Sequence, residues 1–338
     1  MMQLLRKIAF PFSLVYALII HIRNFLYDKD IFRSLSYATP TICVGNLSVG
    51  GTGKTPMVEY LISILQEDFR VAILSRGYQR KSSGFVVADE NSSVRDLGDE
   101  PYQISRKFPK AAVAVDADRR NGIVELGKRV QPDLILLDDA FQHRRVKPNF
   151  SMLLTVCADL YVDDWYLPTG NLRDGKREAQ RADMIVVTKC DRNISIEDRK
   201  RILQKLRPNT DQLVVFSWFE YDPKLYGISE TRQLSDLKKK RVALVTAIAN
   251  PQHLVSYLKS ESVLFDHFNF RDHHYFSYGE IDRLRQYDIV LTTEKDHTKL
   301  NGRLDSLFYI KVRHAFTLED KALMLREIIK VAKLDPLL

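Results

Sequence analysis

Thr41-Ile42-Cys43-Val44-Gly45-Asn46-Leu47-Ser48-Val49-Gly50-Gly51-Thr52-Gly53-Lys54-Thr55-Pro56 is the stretch on which the fold turns. Thr41–Val44 reads as a strand, the glycine-rich run as a loop, and Lys54–Gln66 as a helix. A phosphate-binding loop requires this context, because glycines let backbone N–H groups turn inward and the helix N-terminus adds partial positive charge. Ser48, Val49, Gly50, Gly51, Thr52, Gly53, Lys54 and Thr55 are the candidate phosphate-binding residues. Lys54 can reach β- and γ-phosphates, and Thr55 can hold Mg²⁺. Ser48 stands where the strict pattern has its first glycine, and Gly50, Gly51 and Gly53 offset that departure.

A Mg–nucleotide site also needs an acidic residue ending a neighbouring strand. Leu134-Ile135-Leu136-Leu137 followed by Asp138-Asp139 supplies a pair. Working outward, short β-branched runs alternate with helical stretches. Arg70–Leu74, Ala111–Val115, Asp133–Leu137, Met152–Val156 and Met184–Thr188 read as strands, with a helix near Asp118–Arg129. Near-continuous apolar strands joined by helices imply a mostly parallel, doubly wound α/β sheet covered on both faces. After an irregular stretch around Tyr221–Asp236, a second series begins. Val242–Thr246, Val263–Phe265, Asp288–Leu291 and Phe308–Val312 read as strands, and Leu318–Lys333 as a closing helix. The expected division is an N-terminal segment (1–35), a phosphate-loop domain (36–225) and a smaller C-terminal α/β lobe (226–338).

The length of 338 residues suits two lobes. An apolar content of 45% builds real cores and excludes disordered, collagenous and low-complexity classes. Cys43, Cys157 and Cys190 are too few and too scattered for a disulfide framework or a zinc cluster, and suit a reducing compartment. The net charge of +8 admits an anionic partner without choosing between nucleic acid, a phosphorylated ligand and an acidic membrane surface.

Near the N-terminus, Arg6 and Lys7 precede an apolar run from Ile8 to Ile20, which His21 and Arg23 close. As a helix, Ile8–Ile22 would reach about 22 Å, short of the roughly 30 Å hydrocarbon core of a bilayer. No small-x-small cleavage site follows, which disfavours a signal peptide. Two readings stay open: a buried core helix, or an interfacial helix whose Arg6, Lys7, Arg23 and Lys29 face anionic lipid.

Three protein classes share a phosphate loop and an acidic strand end. Thr188-Lys189-Cys190-Asp191 has the T-K-x-D form of a guanine-reading motif, yet Asp138-Asp139-Ala140-Phe141 lacks the switch glycine of a GTPase. A partitioning ATPase would carry an additional lysine where Val49 stands. The other motifs favour a kinase with a bulky acceptor. They are Ser75-Arg76-Gly77-Tyr78, Gly98-Asp99-Glu100-Pro101 on an expected loop, Asp118-Arg119-Arg120 and Phe141-Gln142-His143-Arg144. Leu167-Pro168-Thr169-Gly170-Asn171-Leu172-Arg173-Asp174 forms a polar turn, and Phe270-Arg271-Asp272-His273-His274 lies in the second lobe. Most follow strands, and in a doubly wound sheet such loops gather at one crevice.

In order and spacing, these motifs resemble the tetraacyldisaccharide 4′-kinase family over nearly the whole chain, including Thr293-Glu294-Lys295-Asp296. The resemblance implies transfer of the γ-phosphate of ATP, with Mg²⁺, to the 4′-hydroxyl of a lipid disaccharide 1-phosphate, giving lipid IVA. It implies a monomer at the cytoplasmic face of the bacterial inner membrane, peripheral or monotopic, with no need for nucleic acid. Ser48–Thr55 would carry ATP, Asp99 would be the catalytic aspartate and His273 its paired histidine. Thr55, Asp138 and Asp139 would serve the metal. Arg76, Tyr78, Glu100, Arg119, Gln142, His143, Asn171, Arg173 and Asp174 would clamp substrate or phosphate. A carboxylate is a weak base at neutral pH, so a histidine partner is physically useful. Three positions depart from the family pattern: Ala140 and Gln79 replace glycines, and Asp174 replaces a glutamate.

Overall fold

The structure, a computed structural model, describes Arg6 and residues 8–334. Lys7, expected to flank the first helix, lies outside the described residues, as do the ends of the first and last expected segments. The chain forms two compact units, residues 1–219 with 314–338, and residues 220–313.

In the first unit the elements run α1 (Phe10–Asp28), β1 (Thr41–Asn46), α2 (Lys54–Leu65), β2 (Val71–Ser75), β3 (Val86–Val87), α3 (Val94–Leu97), α4 (Asp99–Lys107) and β4 (Ala112–Val115). There follow α5 (Arg119–Arg129), β5 (Leu134–Asp138), β6 (Phe150–Val156), β7 (Met184–Thr188), α6 (Ile196–Leu206) and the start of β8 (Leu213–Tyr226). Strand order is β3-β4-β2-β5-β1-β6-β7-β8, parallel throughout except for β3. Alternation along β1 sends Ile42 and Val44 to a core with Met57, Leu61 and Ile104, and Cys43 to a second core with Ile123, Leu126 and Ile202. Two cores on opposite faces of one parallel sheet are what a doubly wound fold requires.

The second unit holds the rest of β8, β9 (Thr231–Gln233), β10 (Val242–Thr246), α7 (Gln252–Ser260), β11 (Asp266–Asn269), α8 (Tyr278–Leu284), β12 (Ile289–Thr293), α9 (Glu294–Leu300) and most of β13 (Leu307–Phe316). Its parallel order is β11-β10-β12-β13, and β9 pairs antiparallel with the end of β8.

Four expectations are corrected. The closing helix, α10 (Leu318–Ala332), belongs to the first unit: Met324, Ile328 and Val331 join the core of Met57 and Leu61. Its apolar stripe is plain in sequence, but a stripe does not say which sheet it covers. The strand expected at Val263–Phe265 forms at Asp266–Asn269, a polar edge held by pairing with β10 rather than by burial. The stretch after Tyr221, expected to be irregular, continues β8 to Tyr226 and forms β9. Gly98–Pro101 is not a loop but the start of α4.

The first helix extends past the expected Ile22 to Asp28, 19 residues in all, and is inverted in character. Ser13, Tyr16, Asn24 and Tyr27 share the inward stripe, while Phe12, Leu14, Val15, Leu18, Ile19, Ile22 and Phe25 are each more than half exposed. Only 17% of its apolar window is buried, which removes the core-helix reading.

Candidate active site

The loop after β1 is braced from within. Asn46 Nδ2 donates to Thr52 Oγ1 at 2.9 Å, and Gly53 caps α2 with φ of +93°. A side chain at Gly53 would be strained by that angle and would meet His314 Nε2 at 2.9 Å. Ser48 Oγ donates to Asp164 at 3.2 Å, so the departure from glycine is used as an anchor.

The polar turn expected at 167–174 runs alongside this loop. Val49 N–H donates to Asn171 O at 2.8 Å and Arg173 N–H to Leu47 O at 2.8 Å. Arg173 binds both Asn46 and the Asp139 carboxylate. Gln142 Nε2 donates to Asn46 O at 2.8 Å. Asp174 is different. Fully buried, it accepts from Asn24 of α1 at 2.7 Å and from Gly175 N–H at 2.8 Å, so it anchors the helix rather than joining a clamp.

On the β5 side, Thr55 Oγ1 donates to Glu100 Oε2 at 2.8 Å and Lys54 lies 3.7 Å from Asp139. Asp138 takes the Ser75 hydroxyl on one oxygen at 3.0 Å, and its buried Oδ1 has no hydrogen-bond partner. Burial, with the charges of Glu100 and Asp139 adding, pushes Asp138 up to about 7. Burial also opposes ionisation of Asp139, but Lys54 and Arg173 outweigh it and hold that carboxyl at about 2. One carboxylate is thus charge-paired and the other is an unsatisfied buried oxygen. With Thr55 and Glu100 beside them, these groups fit a Mg²⁺ that takes its other ligands from phosphate and water. Among the described residues no cage of three histidine, cysteine or carboxylate groups exists, and such a phosphate-borne ion does not need one.

Asp99, 6% exposed, opens α4 behind Gly98. Gly98 has φ of +89° and a Cβ there would meet Tyr78 O at 2.7 Å, so glycine is required to bring the Tyr78 turn against the aspartate's helix. Tyr78 and Arg76 are exposed. Arg119 is buried and donates to the Asp116 and Ala117 carbonyls at 3.2 and 3.3 Å. His143 lies 3.7 Å from Asp118, and burial followed by the Arg119 charge holds its pKa down at about 4.

In the second unit, His273 adopts φ of +61° and its Nε2 lies 3.3 Å from Lys295 Nζ. Lysine only donates, so Nε2 is the accepting nitrogen there. Thr293-Glu294-Lys295-Asp296 supports this loop twice. Lys295 meets His273, and buried Asp296 accepts from Ala247 N–H at 2.8 Å while Ala247 O accepts from His273 N–H at 3.3 Å. His274 stacks on Phe270 and pairs with Glu280 at 3.1 Å, a satisfied structural histidine.

Two further residues support the loop, His314 with no motif signal of its own and Thr188 from the T-K-x-D segment. His314, buried on the returning strand β13, reaches Gly53 O at 3.0 Å and Ser217 Oγ at 3.0 Å. Thr188, at the end of β7, donates to Thr52 O at 2.8 Å, so the T-K-x-D segment serves the phosphate loop.

A braced glycine loop between β1 and α2, with Lys54 and Thr55 at the helix start and two carboxylates ending β5, defines a P-loop phosphotransferase. The Tetraacyldisaccharide-1-P 4′-kinase family profile matches residues 5–330. Proteins named tetraacyldisaccharide 4′-kinase are similar to the chain. That of Flavobacterium johnsoniae is 48% identical over 93% of this chain and 94% of its own length. That of Bacteroides thetaiotaomicron is 40% identical over 88% and 83%. The structure is also similar to the "apo" form of LpxK from Aquifex aeolicus in complex with ATP, with TM-score 0.77 and 31% identity over 97% of this chain and 99% of that one. The chain belongs to the tetraacyldisaccharide-1-P 4′-kinase family.

Proposed function

We propose that this chain transfers the γ-phosphate of ATP to the 4′-hydroxyl of a tetraacyldisaccharide 1-phosphate, giving lipid IVA for lipid A biosynthesis. The observation that carries this is the braced phosphate loop with Lys54, Thr55, Glu100, Asp138 and Asp139 on its β5 side, in a chain of this family. The similar Aquifex structure, solved with ATP, supports the choice of nucleotide.

Ser48–Thr55 wrap the phosphates, and Thr55, Asp138 and Asp139 are assigned to Mg²⁺. When bound, the ion supplies positive charge to the phosphate oxygens. Arg173 and Lys54 hold Asp139 ionised, and Asn171 and Arg173 hold the loop's outer edge. Asp99 is assigned the acceptor's proton. His273 is assigned as its partner on the strength of the motif match. Arg76, Tyr78, Arg119, Gln142 and His143 follow strand ends at the same C-terminal edge and are assigned to acceptor or phosphate.

The outward apolar face of α1 supports a membrane-associated enzyme. A helix in water turns its apolar residues inward, whereas this one turns Ser13 and Asn24 inward and eight large apolar residues from Phe10 to Phe25 outward. Contacts at Ser13–Thr169, Tyr16–Arg173, His21–Tyr166 and Asn24–Asp174 follow it along its length, which favours a helix lying on the bilayer over one leaving the protein to span it. Label transfer from ATP to the lipid acceptor tests the whole reading. Nucleotide hydrolysis without labelled lipid contradicts it.

A further inference from the structure

Lys189 is a cation without an evident purpose in the protein alone. It ends β7 with φ of +57° and is only 8% exposed. Among the described residues no carboxylate pairs with it and no hydrogen bond satisfies it. Its Nζ lies over the Phe219 ring, 5.3 Å from the centroid. Burial holds its pKa down to about 8, so the ammonium persists at neutral pH at a desolvation cost that the Phe219 ring offsets only in part. An apolar side chain of similar length would pack there at lower cost.

Its surroundings belong to the phosphate loop. The preceding Thr188 donates to Thr52 O, and Phe219 packs edge-on to His314, which holds Gly53. Lys189, Asp191 and Ser195 also line a cavity of 680 Å³ at the ends of β6 and β7. Strand order gives the direction. The carboxylates Asp138 and Asp139 end β5 on one side of β1, and Lys189 ends β7 on the other. A nucleotide that lays its terminal phosphate toward the carboxylates therefore runs its ribose and base toward β7.

We propose that Lys189 is a nucleotide-binding residue whose ammonium donates to an acceptor on the nucleoside half, a ribose oxygen or a purine ring nitrogen. This rests on the ATP reading above. The T-K-x-D segment then has two tasks: the threonine fixes the loop backbone, and the lysine meets the far end of the ligand.

The test is titration calorimetry of the full chain and of Lys189→Met with MgATP and, separately, with Mg²⁺ and inorganic tripolyphosphate, together with thermal melts. Loss of one charge-assisted bond should raise the Kd for ATP roughly tenfold or more. Tripolyphosphate should bind both proteins alike, and the melting temperature should hold or rise because a buried charge is gone. Unchanged ATP affinity overturns the proposal, as does an equal loss for both ligands, which would place Lys189 on the phosphates. Should Lys189→Met fail to fold, Lys189→Arg keeps the charge and should retain ATP binding within a few-fold. ATP binding lost in that variant while its melting temperature is kept contradicts simple donation. Failure of the wild-type chain to bind ATP would instead remove the kinase reading, and this proposal with it.

Discussion

His314 Nε2–H donates to the carbonyl oxygen of Gly53 across 3.0 Å, while its Nδ1 faces the Ser217 hydroxyl at 3.0 Å. The carbonyl can only accept, which fixes the tautomer: Nε2 carries the hydrogen and Nδ1 accepts from serine. Gly53 O also caps α2 through Met57 N–H at 3.0 Å, so one oxygen ties the loop, the helix and strand β13 together. His314→Ala should leave these buried groups unsatisfied and cost about 1–3 kcal/mol. It should raise the KM for ATP more than it lowers kcat. His314→Gln offers an amide N–H in place of Nε2–H and should recover most of both. Melts and steady-state kinetics on the two variants check this.

His314 and His143 should each withdraw stability on mild acidification, while Asp138, raised to about 7, takes up a native-state proton over the same range and acts in the opposite direction. Burial holds His314 and His143 at about 4, against an ordinary 6.5. Between those values the unfolded chain binds more protons at these histidines than the native one, so their contribution to stability rises with pH across that window and is lost as pH drops through it. For fully buried His314 the loss between pH 7 and 5 should be on the order of 2 kcal/mol. Urea unfolding of the wild type and of His314→Gln at the two pH values isolates it as the difference between their pH dependences, since Asp138 contributes equally to both.

Asp99→Ala should lower kcat by roughly 10²–10⁴ and leave the Kd for ATP near wild type, because the group proposed to take the acceptor's proton is lost while the loop is intact. Lys54→Ala should do the opposite in part, weakening ATP binding as well as turnover, since Lys54 also holds Asp139 ionised. Turnover at the wild-type rate in Asp99→Ala would remove its assignment.

The two faces of α1 should separate by experiment. Leu14 and Leu18 are 57% and 60% exposed, so changing both to Asp should reduce partition onto anionic vesicles with little change in melting temperature. Asn24→Ala removes a buried bond to Asp174 and should instead cost about 1–3 kcal/mol of stability. Vesicle flotation and thermal melts together check both halves.

The central strands were legible because they are short apolar runs, whereas polar β11 and the end of β8 with β9 were not, and the phosphate loop was legible because glycine spacing and strand–helix context fix its geometry. Asp138 and Asp139 were legible as a strand end, but their unequal environments were not, since those come from Ser75, Arg173 and Glu100 arriving from other elements. Asp174 carried a motif letter and proved to be buried beneath α1. His314 carried none. Its role depends on β13 returning beside the loop, a three-dimensional placement with no local pattern. The last helix likewise displayed an apolar stripe without naming the sheet that takes it.

The central claim is tested most directly by supplying ATP labelled on the γ-phosphate with tetraacyldisaccharide 1-phosphate in mixed micelles, and then locating the label in the product. The expected result is a new phosphomonoester on the 4′ position of the distal sugar, dependent on Mg²⁺ and strongly reduced with Lys54→Ala. Release of inorganic phosphate with no labelled lipid, or label at a different position, would contradict the account.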